Sequence, residues 1–335
     1  MSEDYYKLDK EAQKELLQEA QQDLGIQPLF LEKDYWVCMV LKMLFQHDGM
    51  RPHLCFRGGT SLSKVHHCID RFSEDIDVAL EPIYFSDYPA EALPHESDTR
   101  NQRESKHRKL RRKYREFMRD ELVPHLKEKF AELNVTDAVF ELDNIDQARD
   151  PFVLKIHYPS VVVSAGVGYV SPIVKLELSG RANTTPSMSG TIIPYLAELL
   201  PLQPIQIRTV SAERTFWEKA FILHETNTRA QHDVSYAIPL RLARHYYDLC
   251  ELIRHGHYDA NLFQQVKNHR NIDYHYGWVE YDTLVPDRMN LLPPDERRKN
   301  EWATDYELME PMLRQTPESF ESVLREIQIF VQNNF

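Results

Sequence analysis

Cysteine, glycine, positive charge and long apolar runs are all scarce in this 335-residue chain. The four cysteines, Cys38, Cys55, Cys68 and Cys250, lie too far apart for a short-spaced zinc site and are too few for a disulfide framework, so they read as buried thiols in a reducing compartment. Neither of the most hydrophobic stretches suits a membrane: Glu32, Lys33, Asp34 and Lys42 interrupt Leu29 to Phe45, and Ser164, Gly166, Gly168 and Pro172 break Val161 to Val174. The opening Met1-Ser2-Glu3-Asp4-Tyr5-Tyr6 is acidic and polar where a secretory leader is basic and then apolar. A soluble, cytoplasmic protein with no membrane partner is expected. With 40 Lys plus Arg against 52 Asp plus Glu, the net charge of −12 excludes a polyanion-binding surface over the whole protein, and any such contact needs a local patch.

The hydrophobic share of 42% suits an ordinary globular chain, and the length suggests one large or two modest domains. Leu8 to Leu24 is too sparsely apolar for a fully buried helix, whereas Leu29 to Leu44 should be a core helix. Leu54-Cys55-Phe56, Gly58-Gly59 and the segment from Thr60 read as strand, glycine turn and helix, with a second strand at Ile76 to Leu80 beside the first. Pro82 to about Asp98 has no clean period and reads as a loop or insertion. From Arg100 to Lys129 a long helix is expected, its apolar stripe formed by Leu110, Tyr114, Phe117, Met118, Leu122 and Leu126. That stretch holds twelve Lys plus Arg and five Asp plus Glu, a local positive surplus in an acidic chain. Phe152 to Tyr158 and Ile173 to Leu178 read as strands, with a turn at Ser164 to Gly168 between them. After Pro186, Pro194, Pro201 and Pro204 the pattern becomes helical: Ser211 suits an N-cap, and further helices are expected at about Tyr236 to His255 and Ser319 to Val331. The domain boundary is therefore placed between residues 1–205 and 206–335, with a basic helical insertion at about 82–130.

The most informative residues are Arg57-Gly58-Gly59-Thr60-Ser61, followed by Asp75-Ile76-Asp77. Aspartates at i and i+2 of a strand project from one face and suit a hard divalent cation, while the glycines let backbone approach a phosphate. Each feature alone suits a turn or a strand end; together, in this order, they point to a site. In Val174-Lys175-Leu176-Glu177-Leu178 the charged pair shares one strand face. The same pattern suits a plain amphipathic strand, but Glu177 offers the third acid and Lys175 a triphosphate contact. Arg214 and Glu218, and likewise Arg244 and Asp248, stand at i and i+4, the spacing of a helix-surface pair.

These segments resemble the AbiEii/AbiGii-type nucleotidyltransferase toxins, a branch of the DNA polymerase β-like superfamily. Gly59-Thr60 with Asp75-x-Asp77, after Arg71-Phe72-Ser73-Glu74, looks like the first motif, Lys175-Leu176-Glu177 like the second, and Glu32-Lys33-Asp34-Tyr35-Trp36 like the N-terminal signature. Arg214 to Lys219 and Arg244-His245-Tyr246-Tyr247-Asp248-Leu249 are similar to the C-terminal helical motifs. The chain departs from the superfamily in having Gly59-Thr60 for the common Gly-Ser, which keeps the hydroxyl.

The resemblance implies an α+β fold: a nucleotidyltransferase core with a mixed β-sheet flanked by helices, and a largely helical C-terminal region. It implies transfer of a nucleoside monophosphate from an NTP to an acceptor hydroxyl, with Asp75, Asp77 and Glu177 holding magnesium, or manganese in its place. Gly58, Gly59, Thr60, Ser61, Lys175, Arg214, Glu218 and Lys219 would bind the nucleotide. An RNA acceptor such as tRNA, held by Arg108, Lys109, Arg111, Arg112 and Arg115, and an antitoxin partner complete the expectation of a toxin in a toxin–antitoxin or phage-defence system. Transfer to a protein acceptor and a non-catalytic binding protein of the same fold are the alternatives. A phosphatase of the haloacid-dehalogenase type fits poorly, because Arg71-Phe72-Ser73-Glu74 precedes Asp75 where an apolar strand is needed.

Overall fold

The computed structural model describes residues 4–73, 75–143, 150–162, 171–313 and 318–335. The expected turn at Ser164 to Gly168 and Glu74 of the first motif lie outside the described residues. The chain forms two compact units: Met1–Val65, Phe72–Leu93 and Arg100–Thr209 make the first, and His66–Arg71, Pro94–Thr99 and Val210–Phe335 the second.

The first unit opens with α1 (Lys10–Leu24), whose N-terminal amides at Glu11 and Ala12 donate to the Asp9 carboxylate. Next comes α2 (Pro28–Phe45), with proline at its first position, where a missing N–H costs nothing, and with nearly every side chain buried. Then follow β1 (Leu54–Arg57), α3 (Gly58–Lys64) and β2 (Asp75–Leu80). A helix begins at Arg100 as expected, but it is two helices, α4 (Arg100–Phe117) and α5 (Val123–Glu132), joined by a π-helical turn at Met118–Leu122. Pro124 explains the break: it has no N–H to continue the α-helical ladder, and the wider turn absorbs the loss. The rest of the sheet is β3 (Val139–Asp143), β4 (Phe152–His157), β5 (Ile173–Ser179), β6 (Ser187–Ile192) and β7 (Ile205–Val210).

The seven strands lie in the order β3-β4-β5-β2-β1-β7-β6, a mixed sheet in an α+β fold. Of the inner pairs, β1 runs antiparallel to β2 and parallel to β7, β2 parallel to β5, and β4 antiparallel to β5. Alternation gives the sheet two different faces. Ile76, Val78, Leu80, Leu154, Ile156, Val174, Leu176 and Leu178 point into one hydrophobic core shared with α2, α4 and α5. Leu110, Tyr114 and Phe117 supply the stripe of α4, and the Tyr114 hydroxyl donates to the Leu80 carbonyl. A Cβ at Gly180 would stand 2.2 Å from the Tyr114 ring, so glycine is what lets α4 close on the sheet. The opposite face carries the charged residues.

The second unit is helical: α6 (Ala212–His232), α7 (Arg244–Arg254), α8 (Leu262–Asp273), α9 (Glu296–Glu307) and α10 (Phe320–Asn334). Ser211 caps α6 as expected, its hydroxyl accepting from the Arg214 amide at 3.2 Å. The helix expected from Tyr236 is shorter and starts at Arg244. Pro239 disfavours helix before it, and Arg241 takes a φ of 69°, with Asp305 accepting the Arg241 amide at 2.6 Å and the Ala243 amide at 2.7 Å. Phe216, Trp217, Phe221, Tyr246, Trp302 and Phe320 fill the interior. No helix among the described residues is long and apolar enough to cross a membrane.

Candidate active site

Strand register assembles the site in the first unit. Asp75 lies opposite Lys175 and Asp77 opposite Glu177 across the β2–β5 ladder, while Arg57 lies opposite Asp77 across β1–β2. Continuing outward, Lys175 faces Lys155 on β4, which faces Glu141 on β3. Two rows of side chains thus cross the polar face: Glu141, Lys155, Lys175, Asp75, and beside it Asp143, Val153, Glu177, Asp77, Arg57. The sequence-predicted Asp75, Asp77, Lys175 and Glu177 come together in this way although about a hundred residues separate the two strands along the chain.

The Lys175 ammonium is ion-paired with Glu177, and the two side chains remain 39% and 20% exposed. Partial burial works to lower the lysine pKa, but Asp75, Glu177 and Asp77 outweigh it and hold it above its ordinary value, so Lys175 is fully charged at neutral pH. Lys175 is thus a cation paired with Glu177 on a partly solvent-accessible face, in the field of Asp75 and Asp77.

Gly58 stands at the corner between β1 and α3 with a φ of +77°, and a Cβ there would meet Asp77 Oδ2 at 2.0 Å. Glycine is required both by the left-handed backbone and by the carboxylate packed against it. Behind this corner the Thr60 hydroxyl donates to the Asp75 carbonyl and shares a 2.9 Å hydrogen bond with Ser73, and Ser61 Oγ donates to the Gly58 carbonyl at 2.9 Å. Both residues are buried; the Thr60 hydroxyl ties α3 to the start of β2, and the Ser61 hydroxyl braces the first turn of α3. Thr60 thus positions Asp75, and Ser61 the Gly58 corner; the sequence reading also placed both at the nucleotide.

The far end of α3 is anchored as well. Lys64 pairs with Asp34 of α2 at 2.6 Å and lies 3.7 Å from the centre of the Tyr195 ring, whose backbone N–H donates to Asp34 at 2.8 Å. Burial works against the Lys64 charge, yet Asp34 more than compensates and raises its pKa. Glu32 accepts hydrogen bonds from the Tyr5 hydroxyl and the Val161 amide, each at 2.9 Å, and from Ser160. The Glu32-Lys33-Asp34 signature is therefore a buried anchor for the elements that carry the site. Sequence reasoning did not assign it that role; acids and lysine inside an otherwise apolar helix were the available signal.

Magnesium commonly keeps several waters and binds one or two protein carboxylates plus substrate phosphates, and the hard oxygen donors of Asp75 and Asp77 match that chemistry. Among the described residues no three or more His, Cys, Asp or Glu side chains are grouped to hold a metal ion by themselves. Glu177, the expected third acid, is turned to Lys175.

The other expected residues lie on helices α6 and α4. Arg214, Glu218 and Lys219 lie on α6 in the second unit and are buried. Arg214 is 0% exposed and donates to Glu218 at 3.1 Å, so the pair spaced like a helix-surface pair is interior. Lys219 reaches Asp248 at 2.6 Å, and Asp248 also accepts two hydrogen bonds from Arg71, at 2.6 and 2.8 Å. Burial raises the pKa of the Asp248 carboxyl, but Arg71 and Lys219 overcome this and hold it well below the usual range. Of the basic residues on α4, Arg108, Lys109 and Arg112 are exposed and Arg115 is half-buried. Arg111 is only 8% exposed and pairs with Glu104 at 2.8 Å, which takes it out of any open patch.

A family model described as nucleotidyl transferase AbiEii toxin, type IV toxin–antitoxin system, matches residues 40–326, most of the chain. The chain belongs to the AbiEii nucleotidyltransferase toxin family. Membership makes it a nucleotidyltransferase toxin of the type IV class, with a nucleotide substrate and an antitoxin counterpart. No curated protein matches the sequence. Among solved structures it is similar to MenT4, a nucleotidyltransferase toxin from Mycobacterium tuberculosis H37Rv, at 14% identity over 83% of this chain and 93% of that one, with a TM-score of 0.31. The family assignment of the chain stands on the family match.

Proposed function

We propose that this AbiEii-type toxin transfers a nucleoside monophosphate from an NTP to a hydroxyl of RNA, with tRNA the favoured acceptor and magnesium required. The observation that supports this most is the register that sets Asp75, Asp77, Lys175 and Glu177 on one accessible sheet face beside Gly58. Magnesium held by Asp75 and Asp77, with manganese as a substitute, would supply charge neutralisation across the phosphates. Lys175 turns from Glu177 to the β- and γ-phosphates and steadies the departing pyrophosphate. Glu177, once released, stands as the third acid beside the incoming hydroxyl and takes its proton. The acceptor oxygen bonds to the α-phosphorus as the bond from that phosphorus to the bridging oxygen breaks. Arg108, Lys109 and Arg112 are exposed cations of α4 that would meet the RNA backbone, with Arg115 half-buried beside them and Arg111 holding Glu104. Arg214, Glu218 and Lys219, assigned to the nucleotide on resemblance, have paired partners of their own, so their part is to support the second unit.

The test is to incubate the purified protein with each of the four NTPs labelled at the α-phosphate, total RNA or total protein, and magnesium or a chelator. Label in RNA that disappears on chelation is expected, and the preferred NTP is identified at the same time. Label in protein would replace the acceptor, and label in neither would overturn the activity.

A further inference from the structure

Strand β4 has the burial alternation of an ordinary half-buried strand: Phe152, Leu154 and Ile156 enter the core, while Val153, Lys155 and His157 look to the polar face. Lys155 lies directly opposite Lys175 across the antiparallel β4–β5 ladder. Side chains directly opposite one another on such a pair have Cβ atoms roughly 4.5–5.5 Å apart, and like charges there are destabilising. Nothing in the core calls for two lysines at this place, since a threonine or valine would pack at least as well against its neighbours. The protein tolerates the pair by turning the two ammonium groups apart. Lys155 leans to Asp143 at 3.1 Å and Glu141 at 3.9 Å, and Lys175 leans to Glu177. Both lysines keep about a third of their side-chain surface in solvent, at 31% and 39%. Across the sheet the row therefore reads acid, lysine, lysine, acid, with the two cations at the centre.

We propose that Lys155 is a second cation of the triphosphate seat, acting with Lys175 on the β- and γ-phosphates of the NTP and on pyrophosphate as it leaves. A polyphosphate laid between the two lysines removes the repulsion that their register imposes, and Asp143 and Glu141 are the partners Lys155 holds while the site is empty. The inference rests on the nucleotidyltransferase reading above and adds a residue outside the recognised motifs. A purely structural Lys155 would serve only to neutralise the acids of β3. The two roles differ in sign: a neutral residue at Asp143 and Glu141 deprives a structural lysine of its purpose, but frees a phosphate-binding lysine for its ligand.

The experiment measures, by titration calorimetry at fixed ionic strength with magnesium, the affinity of the full-length protein for inorganic pyrophosphate, for an NTP and for a nucleoside monophosphate. Lys155→Gln is expected to weaken pyrophosphate and NTP binding by about tenfold, the size of one hydrogen bond to a charged group, with the monophosphate unchanged. Lys155→Arg should recover most of the loss, and Asp143→Asn combined with Glu141→Gln should bind pyrophosphate more tightly than wild type. Equal weakening by Lys155→Gln and by the double acid variant would make the lysine structural and overturn the inference. Wild-type affinity in a folded Lys155→Gln, while Lys175→Ala has lost binding, would overturn it and leave the nucleotidyltransferase reading standing. Failure of the wild-type protein to bind any NTP would overturn both. Should Lys155→Gln not fold, the double acid variant decides alone, by whether binding tightens or weakens.

Discussion

Charge is used in opposite ways in the two units. On the sheet face of the first, Lys155, Lys175, Glu177 and Asp143 remain partly in solvent, and two lysines face each other directly. In the second, Arg71, Lys219 and Asp248 are 1%, 6% and 0% exposed and are matched to one another by short hydrogen bonds. A buried charge survives only with its partner, so the Arg71–Asp248–Lys219 group needs no ligand to explain it. An accessible row with unlike neighbours pulled aside and like neighbours left opposite adds little to stability, since exposed pairs are worth about 1 kcal/mol or less. That row is therefore where a ligand has to be sought.

Substitutions should separate the two settings. Asp75→Asn or Asp77→Asn should reduce transfer by about a thousandfold or more, because several kcal/mol of charge stabilisation depends on the carboxylates, while the melting temperature changes little. A large loss of stability with residual transfer near wild type would reverse the distinction. Asp248→Ala should do the opposite and destabilise by about 3–5 kcal/mol in denaturant unfolding, since it leaves two cations buried without their anion. The folded-state pKa of Asp248 is depressed, so its contribution is fully present at neutral pH and is lost only as the pH falls below the ordinary carboxylate range through that depressed value. Gly58→Ala should affect both readouts, costing about 1–3 kcal/mol for the left-handed backbone and lowering activity by displacing Asp77. Smallest is the basic helix: exchanging Arg108, Lys109 and Arg112 for Gln should lower the salt slope of RNA binding by about 2–3 and leave NTP affinity unchanged, the slope being read from binding at several salt concentrations. An unchanged slope would leave those residues a solvated helix face.

The candidate site was legible in the sequence where its residues lie close together along the chain. Asp75-Ile76-Asp77 alternates cleanly, and the glycine corner before it announces the turn. The contribution of Glu177 and Lys175 could be read as a shared strand face, but their position beside β2 depends on a parallel pairing between distant segments that no local pattern specifies. Lys155 was invisible for the same reason: it becomes informative only once it is known to face Lys175. The Asp34–Lys64 anchor was hidden because acids in an apolar helix read first as interruptions. In the fold, β1, β2, β4, β5 and the helix α2 were clear from periodicity, whereas β6, with the sequence Ser-Met-Ser-Gly-Thr-Ile, has almost no apolar alternation to find. The break in the long basic helix was signalled by Pro124, and the late start of α7 by Pro239; in each case a continuous apolar pattern outweighed the proline.

The central claim is that the sheet face supports attack at the α-phosphorus of an NTP. It is tested most directly by running paired reactions with the same NTP labelled at the α- or at the γ-phosphate, in the presence of RNA and magnesium. The account predicts α-label joined to RNA, γ-label released as pyrophosphate, and neither product from Asp77→Asn. Transfer of the γ-label to the acceptor, or transfer of the α-label by the folded Asp77→Asn variant at the wild-type rate, would contradict it.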